Sequence, residues 1–141
     1  ARAYVGPDET LKITASITPQ ILVKVAESDY LKRDQELKHS LLAHVTKLVA
    51  SVPLAPAERT HLRGSIAALN GETHRAILLL DKAVKARPNN TSWRYELAKL
   101  LRDEGRYREG KKHARICVGM EPDNEPYQDL LHEFSRPRSN D

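Results

Sequence analysis

One cysteine, one methionine, one tryptophan and one phenylalanine occur in 141 residues, and aromatics make up only 5%. The single thiol, Cys117, excludes an internal disulfide framework and any thiolate metal cluster built by this chain alone. No apolar run approaches the roughly 18 residues of a membrane span, so no membrane insertion is expected. A strong charge of one sign is also missing: 23 Lys/Arg stand against 19 Asp/Glu, a net +4. That balance permits an acidic peptide or a nucleic acid as partner and demands neither. What is present is 40% apolar and 30% charged residues, the composition of a globular chain able to bury a core. A soluble, cytoplasmic setting is favoured. Beginning at Ala1 with no basic-then-apolar leader, the chain reads as a piece of something longer.

Residues 1–17 read as a short extended N-terminal segment or linker, because Leu11, Ile13, Ala15 and Ile17 alternate with polar residues at a period of two. From Thr18 the period becomes helical. Thr18-Pro19 supplies an oxygen cap and a proline at the first helical position. Ile21, Leu22, Val25, Ala26, Tyr30 and Leu31 then mark one apolar face, and Leu37, Leu41, Leu42, Val45, Leu48, Val49 and Val52 mark another, ending near Pro53. Residues 18–56 are therefore expected to form a helical hairpin, either a divergent repeat or a cap.

Catalytic chemistry finds no organised set of residues. His39 and His44 are five apart rather than the four that align two imidazoles on a helix. The remaining histidines fall in separate helices, and neither a G-x-S-x-G turn nor a glycine-rich phosphate loop occurs. No enzyme activity, cofactor or metal is expected. The overlapping glycosylation sequons at Asn89 and Asn90 coincide with a turn where asparagine is favoured for its own sake.

Beyond Pro56 the chain repeats. Residues 57–90 set above 91–124 align Gly71 with Gly105, Val84 with Val118, Pro88 with Pro122 and Asn90 with Asn124. Three of these four are chain punctuators. The glycines suit a sharp turn between two helices, the prolines stop the second helix, and the asparagines cap the next one. Small residues recur where helices must approach: Gly64 and Ala98 early, Ala83 and Cys117 late. A constant offset between the two units, with a helix–turn–helix in each, is the mark of a stacked repeat.

These residues resemble the tetratricopeptide repeat family, whose repeat length equals the offset from Gly71 to Gly105. Gly64, Ala76, Leu80, Ala83 and Pro88 match its spacing in the first unit; Leu97, Ala98, Cys117 and Pro122 match it in the second. The family's tryptophan position holds Thr60 and Arg94, and Gly110 stands where the second unit should carry alanine. The resemblance implies an all-α, right-handed superhelical stack of antiparallel helix pairs. It comprises repeats 57–90 and 91–124, a capping helix to residue 134 (Tyr127, Leu130, Leu131, Phe134) and a tail at 135–141. It further implies a concave face lined by His61, Ser65 and Ala68 in one unit and by Tyr95, Lys99 and Arg102 in the next. The last three, at i, i+4 and i+7, share a helix face, and an aromatic ring beside two cations suits a carboxylate-bearing peptide. The lysine–asparagine clamp that family members use for the C-termini of heat-shock proteins is missing. Its places hold His61, Ser65, Glu96, Pro126 and Leu130.

The function expected is a non-catalytic protein–protein interaction module, a scaffold or adaptor that binds a partner segment in its concave groove. Two alternatives compete: nucleic-acid binding through the basic helix 106–115 (Arg106, Arg108, Lys111, Lys112, Arg115), and a regulatory domain of a larger enzyme. Trp93 and Tyr127, one repeat apart, are expected to wedge between helices, and Cys117 to be an inert buried thiol.

Overall fold

The computed structural model describes residues 18–28 and 34–136, and among these it holds seven helices and no strand. The extended segment expected at 1–17, the continuation of the first helical face through Tyr30 and Leu31, and the tail beyond Arg136 lie outside the described residues. The chain divides between Pro53 and Leu54 into two compact units.

In the N-terminal unit, α1 (Pro19–Ala26) packs against α2 (Gln35–Ser51). Thr18 caps α1 through its side chain with Pro19 at the first position, as the sequence predicts, and Asp34 caps α2 by accepting from the Leu37 N–H at 3.0 Å. The buried residues are Pro19, Val23 and Ala26 on one helix and Leu42, Val45 and Val49 on the other. Ile21, Val25 and Leu37, expected on the buried faces, are instead about half exposed. The apolar stripe of α1 is wider than its packed neighbour α2 covers, and the enclosed seam is that of Pro19, Val23 and Ala26, at i, i+4 and i+7.

The C-terminal unit contains α3 (Pro56–Leu69), α4 (Thr73–Ala86), α5 (Thr91–Asp103), α6 (Tyr107–Met120) and α7 (Glu125–Ser135), each packed on the next in chain order. Two copies of one turn join the pairs. Gly71 and Gly105 have φ of 79° and 78°, the left-handed region that a Cβ disfavours. Each glycine closes its helix in the same way. The Glu72 N–H donates to the Ala67 carbonyl at 2.9 Å and the Arg106 N–H to the Leu101 carbonyl at 2.8 Å, satisfying carbonyls that the helix end would otherwise orphan. Asn90 and Asn124 cap α5 and α7 by accepting from the N–H groups of Trp93 and Tyr127. These bonds are the physical content of the glycine and asparagine register seen in the sequence.

The small positions are contact points. A Cβ on Gly64 would lie 3.0 Å from the Leu80 side chain, and Ala83, Ala98 and Cys117 are fully enclosed. Burial pushes the Cys117 thiol up to about 11, which keeps it protonated and unreactive at neutral pH. Trp93 joins Ile77, Leu80, Ala83, Val84, Leu97 and Leu101 in one core cluster; Ala98, Ala114, Leu130 and Phe134 form the next.

Arg94, in the family's tryptophan position, is buried and has no carboxylate partner among the described residues. Its Nη2 donates to the Pro88 carbonyl at 2.8 Å and its Nη1 meets His113 Nδ1 at 3.0 Å, while Nε finds no acceptor among the described residues. Burial, then the guanidinium of Arg94, holds the His113 imidazole below its usual value of about 6.5, against the weaker pull of Asp81 and Glu109. The unfolded chain therefore binds this proton more readily than the folded one. The contribution is fully present above about 6.5 and is lost as pH falls from there through the lower folded value. A His113→Asn chain, which keeps an acceptor for Arg94 but cannot titrate, is expected to lose less stability than wild type between pH 7.5 and 5. Urea midpoints at the two pH values measure this, and equal losses would exclude His113 as the source.

Candidate partner-binding face

The first helices of the pairs, α3, α5 and α7, meet through side chains about one repeat apart in sequence. His61 of α3 lays its ring parallel to that of Trp93 on α5, with centroids 4.5 Å apart and planes at 9°. Its Nε2 donates to Glu96 Oε2 at 2.8 Å, and the buried Ser65 hydroxyl donates to the same oxygen at 3.0 Å. Ser65 also lies 3.4 Å from His61 Nε2. The serine thus spends its proton on the carboxylate and not on an imidazole acting as base, so the trio ties two helices together and is not a nucleophile relay. Trp93 carries a second contact: the Arg87 guanidinium sits 5.4 Å from its ring centroid and pairs with Glu58 at 3.2 Å.

One repeat further on, the Tyr95 ring of α5 meets Tyr127 of α7 at 5.0 Å. Lys99 Nζ stands 4.5 Å over the Tyr95 ring. Arg102 reaches across to Glu133 of α7 at 2.6 Å and back to Asp103 at 3.2 Å. Burial raises the Tyr95 phenol above its usual value, so it presents a neutral hydroxyl. The Tyr127 hydroxyl donates to Thr91, whose own hydroxyl bonds Glu121.

The six residues singled out from the sequence therefore fall into two groups. Tyr95, Lys99 and Arg102 share one half-exposed ridge of α5, and Ala68 is half-buried on α3. His61 and Ser65 are drawn together by Glu96 and are largely covered. The carboxylates Glu96 and Glu133, which hold these groups, were not among the predicted site residues. Their signal was available in the spacing: Ser65–Glu96 and Arg102–Glu133 are both 31 residues apart, and His61–Glu96 is 35, one repeat give or take a turn. Among the described residues no three His, Cys, Asp or Glu side chains could hold a metal, and no helix is long and apolar enough to cross a membrane.

The solved structures include a geometric match. The TPR domain of Arabidopsis OM64 superposes with a TM-score of 0.56 at 14% identity, over 83% of this chain and 93% of that one. The fold is a tetratricopeptide-type α-solenoid. No protein-family model and no curated protein matches the chain by sequence. At 14% identity the likeness speaks for the backbone alone, in keeping with two internal repeats that themselves share few identical residues.

Proposed function

We propose that the chain captures a segment of a partner protein on the face formed by α3, α5 and α7, with Tyr95, Lys99 and Arg102 as principal contacts. The observation that carries this reading is the ridge on α5 beside Tyr127. Tyr95 and Tyr127 offer a tilted aromatic pair, and Lys99 offers an ammonium with no carboxylate partner among the described residues. Aromatic side chains supply contact area at small entropic cost, and the cation fixes polarity. An acidic or carboxylate-bearing partner group would take the place above Lys99. Arg102 contributes mainly position, since Glu133 and Asp103 already balance its charge.

His61, Ser65 and Glu96 shape the adjoining end of the face, with Ala68 as a small lining residue. A carboxylate at Glu96 repels a chain-terminal carboxylate, and Leu130 is buried. The partner is accordingly an internal segment and not a free C-terminus. The test is affinity capture from native extract with nuclease present, quantified by mass spectrometry. Tyr95→Ala/Lys99→Glu is expected to reduce the specific partner at least about tenfold, and Lys82→Glu, exposed on α4, to leave it unchanged. Capture that is indifferent to Tyr95 and Lys99 would remove this face from consideration.

A further inference from the structure

The outer face of α6 is unlike that of the equivalent helix α4. Gly110, Ala114 and Cys117 turn inward, while Arg108, Lys112, Arg115, Ile116, Gly119 and Met120 recur at i, i+4, i+7, i+8, i+11 and i+12 and are all exposed. Ile116 and Met120 keep 41% and 42% of their surface open. Among the described residues none of Arg108, Lys112 and Arg115 has an ion-pair partner, whereas Arg75, Lys85, Arg87, Arg102 and Arg106 all do. The repeat supplies an internal control. On α4, Asp81 and Lys85 pair at 2.9 Å; one repeat later the same two places hold Arg115 and Gly119. A Cβ on Gly119 would meet nothing within 4 Å, so packing does not ask for glycine there, and glycine weakens a helix interior.

We propose that this outer face of α6 binds an acidic amphipathic helix of a partner protein. Carboxylates of that helix meet Arg108, Lys112 and Arg115, and its apolar residues cover Ile116 and Met120 across the bare surface at Gly119. Arg108 to Met120 spans about 18 Å along the axis, three turns of an incoming helix. Charge complementarity alone would admit a polyphosphate, but phosphates leave Ile116 and Met120 uncovered. The cation-then-apolar order along one face is met by a helix that is acidic at one end and apolar at the other. The missing side chain at Gly119 lets two helix backbones approach closely. The site lies on a different helix from the Tyr95–Lys99 ridge and stands whether or not that ridge binds.

The measurement is fluorescence anisotropy with a synthetic three- to four-turn peptide, glutamates on one end of its face and leucines on the other. Competitors are a scrambled peptide of equal composition, a short DNA duplex, and phosphatidylserine vesicles. The amphipathic peptide is expected to bind, and both Arg108→Glu/Lys112→Glu/Arg115→Glu and Ile116→Ser/Met120→Ser to weaken it by about tenfold or more, with Lys82→Glu, an exposed position on α4, leaving it unchanged. All five α6 positions are exposed, and far-UV circular dichroism checks that the helices persist. No binding, equal binding of the scrambled peptide, stronger competition by duplex or vesicles, or indifference to either set of substitutions would overturn the proposal.

Discussion

Trp93→Ala is expected to destabilise the C-terminal unit by about 3–5 kcal/mol, the range seen when a buried aromatic is truncated. That corresponds to a fall in melting temperature of at least about 10 °C for a unit of this size. The indole is buried among Ile77, Leu80, Ala83, Val84, Leu97 and Leu101, so it joins α4 to α5. It also carries the only parallel ring stack among the described residues, with His61 of α3, and so touches three successive helices. Removing it opens a cavity where each repeat unit depends on its neighbour. Trp93→Phe keeps an apolar ring and is expected to lose much less. A double-mutant cycle with His61→Ala isolates the stack, for which a coupling of about 0.5–1.5 kcal/mol is expected. Thermal melts by circular dichroism read all three variants. A loss below about 1 kcal/mol in Trp93→Ala would show that the neighbouring leucines close over the gap. Because Trp93 is the sole tryptophan, its fluorescence in the wild-type chain reports this unit alone.

The parts of the fold legible from sequence were those governed by backbone chemistry. Gly71 and Gly105 could be placed because a left-handed residue must end each first helix, and Asn90 and Asn124 because an orphaned N–H needs an oxygen. Trp93 and Tyr127 were readable as wedges because their bulk recurs at the repeat spacing. The polar side of the molecule was less legible. That His61 and Ser65 would surrender their hydrogens to Glu96 depends on how far α3 stands from α5, which periodicity does not encode. Arg94 illustrates the same limit. Its place in the repeat marks it only as a departure from tryptophan, whereas the fold turns the guanidinium inward onto His113 and the Pro88 carbonyl. Leu78 is an aliphatic that stays outside the core, 73% exposed. Its neighbours Ile77 and Leu80 already fill the inward face of α4.

Gly110 is the departure from the repeat pattern that the structure explains most directly, and its substitution inverts the usual expectation. Placing alanine there restores the residue that the first repeat carries at Ala76 and improves intrinsic helix propensity by about 0.5–1 kcal/mol. Nevertheless Gly110→Ala is expected to destabilise by about 1–3 kcal/mol, the cost of overpacking a filled core. An added Cβ would lie 2.5 Å from Phe134 Cζ and 2.8 Å from Cε1, with the Ala98 carbonyl oxygen at 3.3 Å on another side. The phenyl ring is not free to swing away. It is buried with Ala98, Ala114 and Leu130, and Tyr107 meets it edge-on at 6.0 Å. Relief therefore requires α7 to shift off α6, and the last helix is the one with no further repeat to hold it among the described residues. Equilibrium denaturation should show the loss in Gly110→Ala and its partial recovery in Gly110→Ala/Phe134→Leu, where the shorter side chain makes room for the methyl group. Phe134→Leu alone should be destabilising, so the two substitutions are each harmful and jointly less so than their sum. If Gly110→Ala instead raises stability, the ring yields more cheaply than its contacts indicate. Helix propensity would then decide the position, as it does on an open surface.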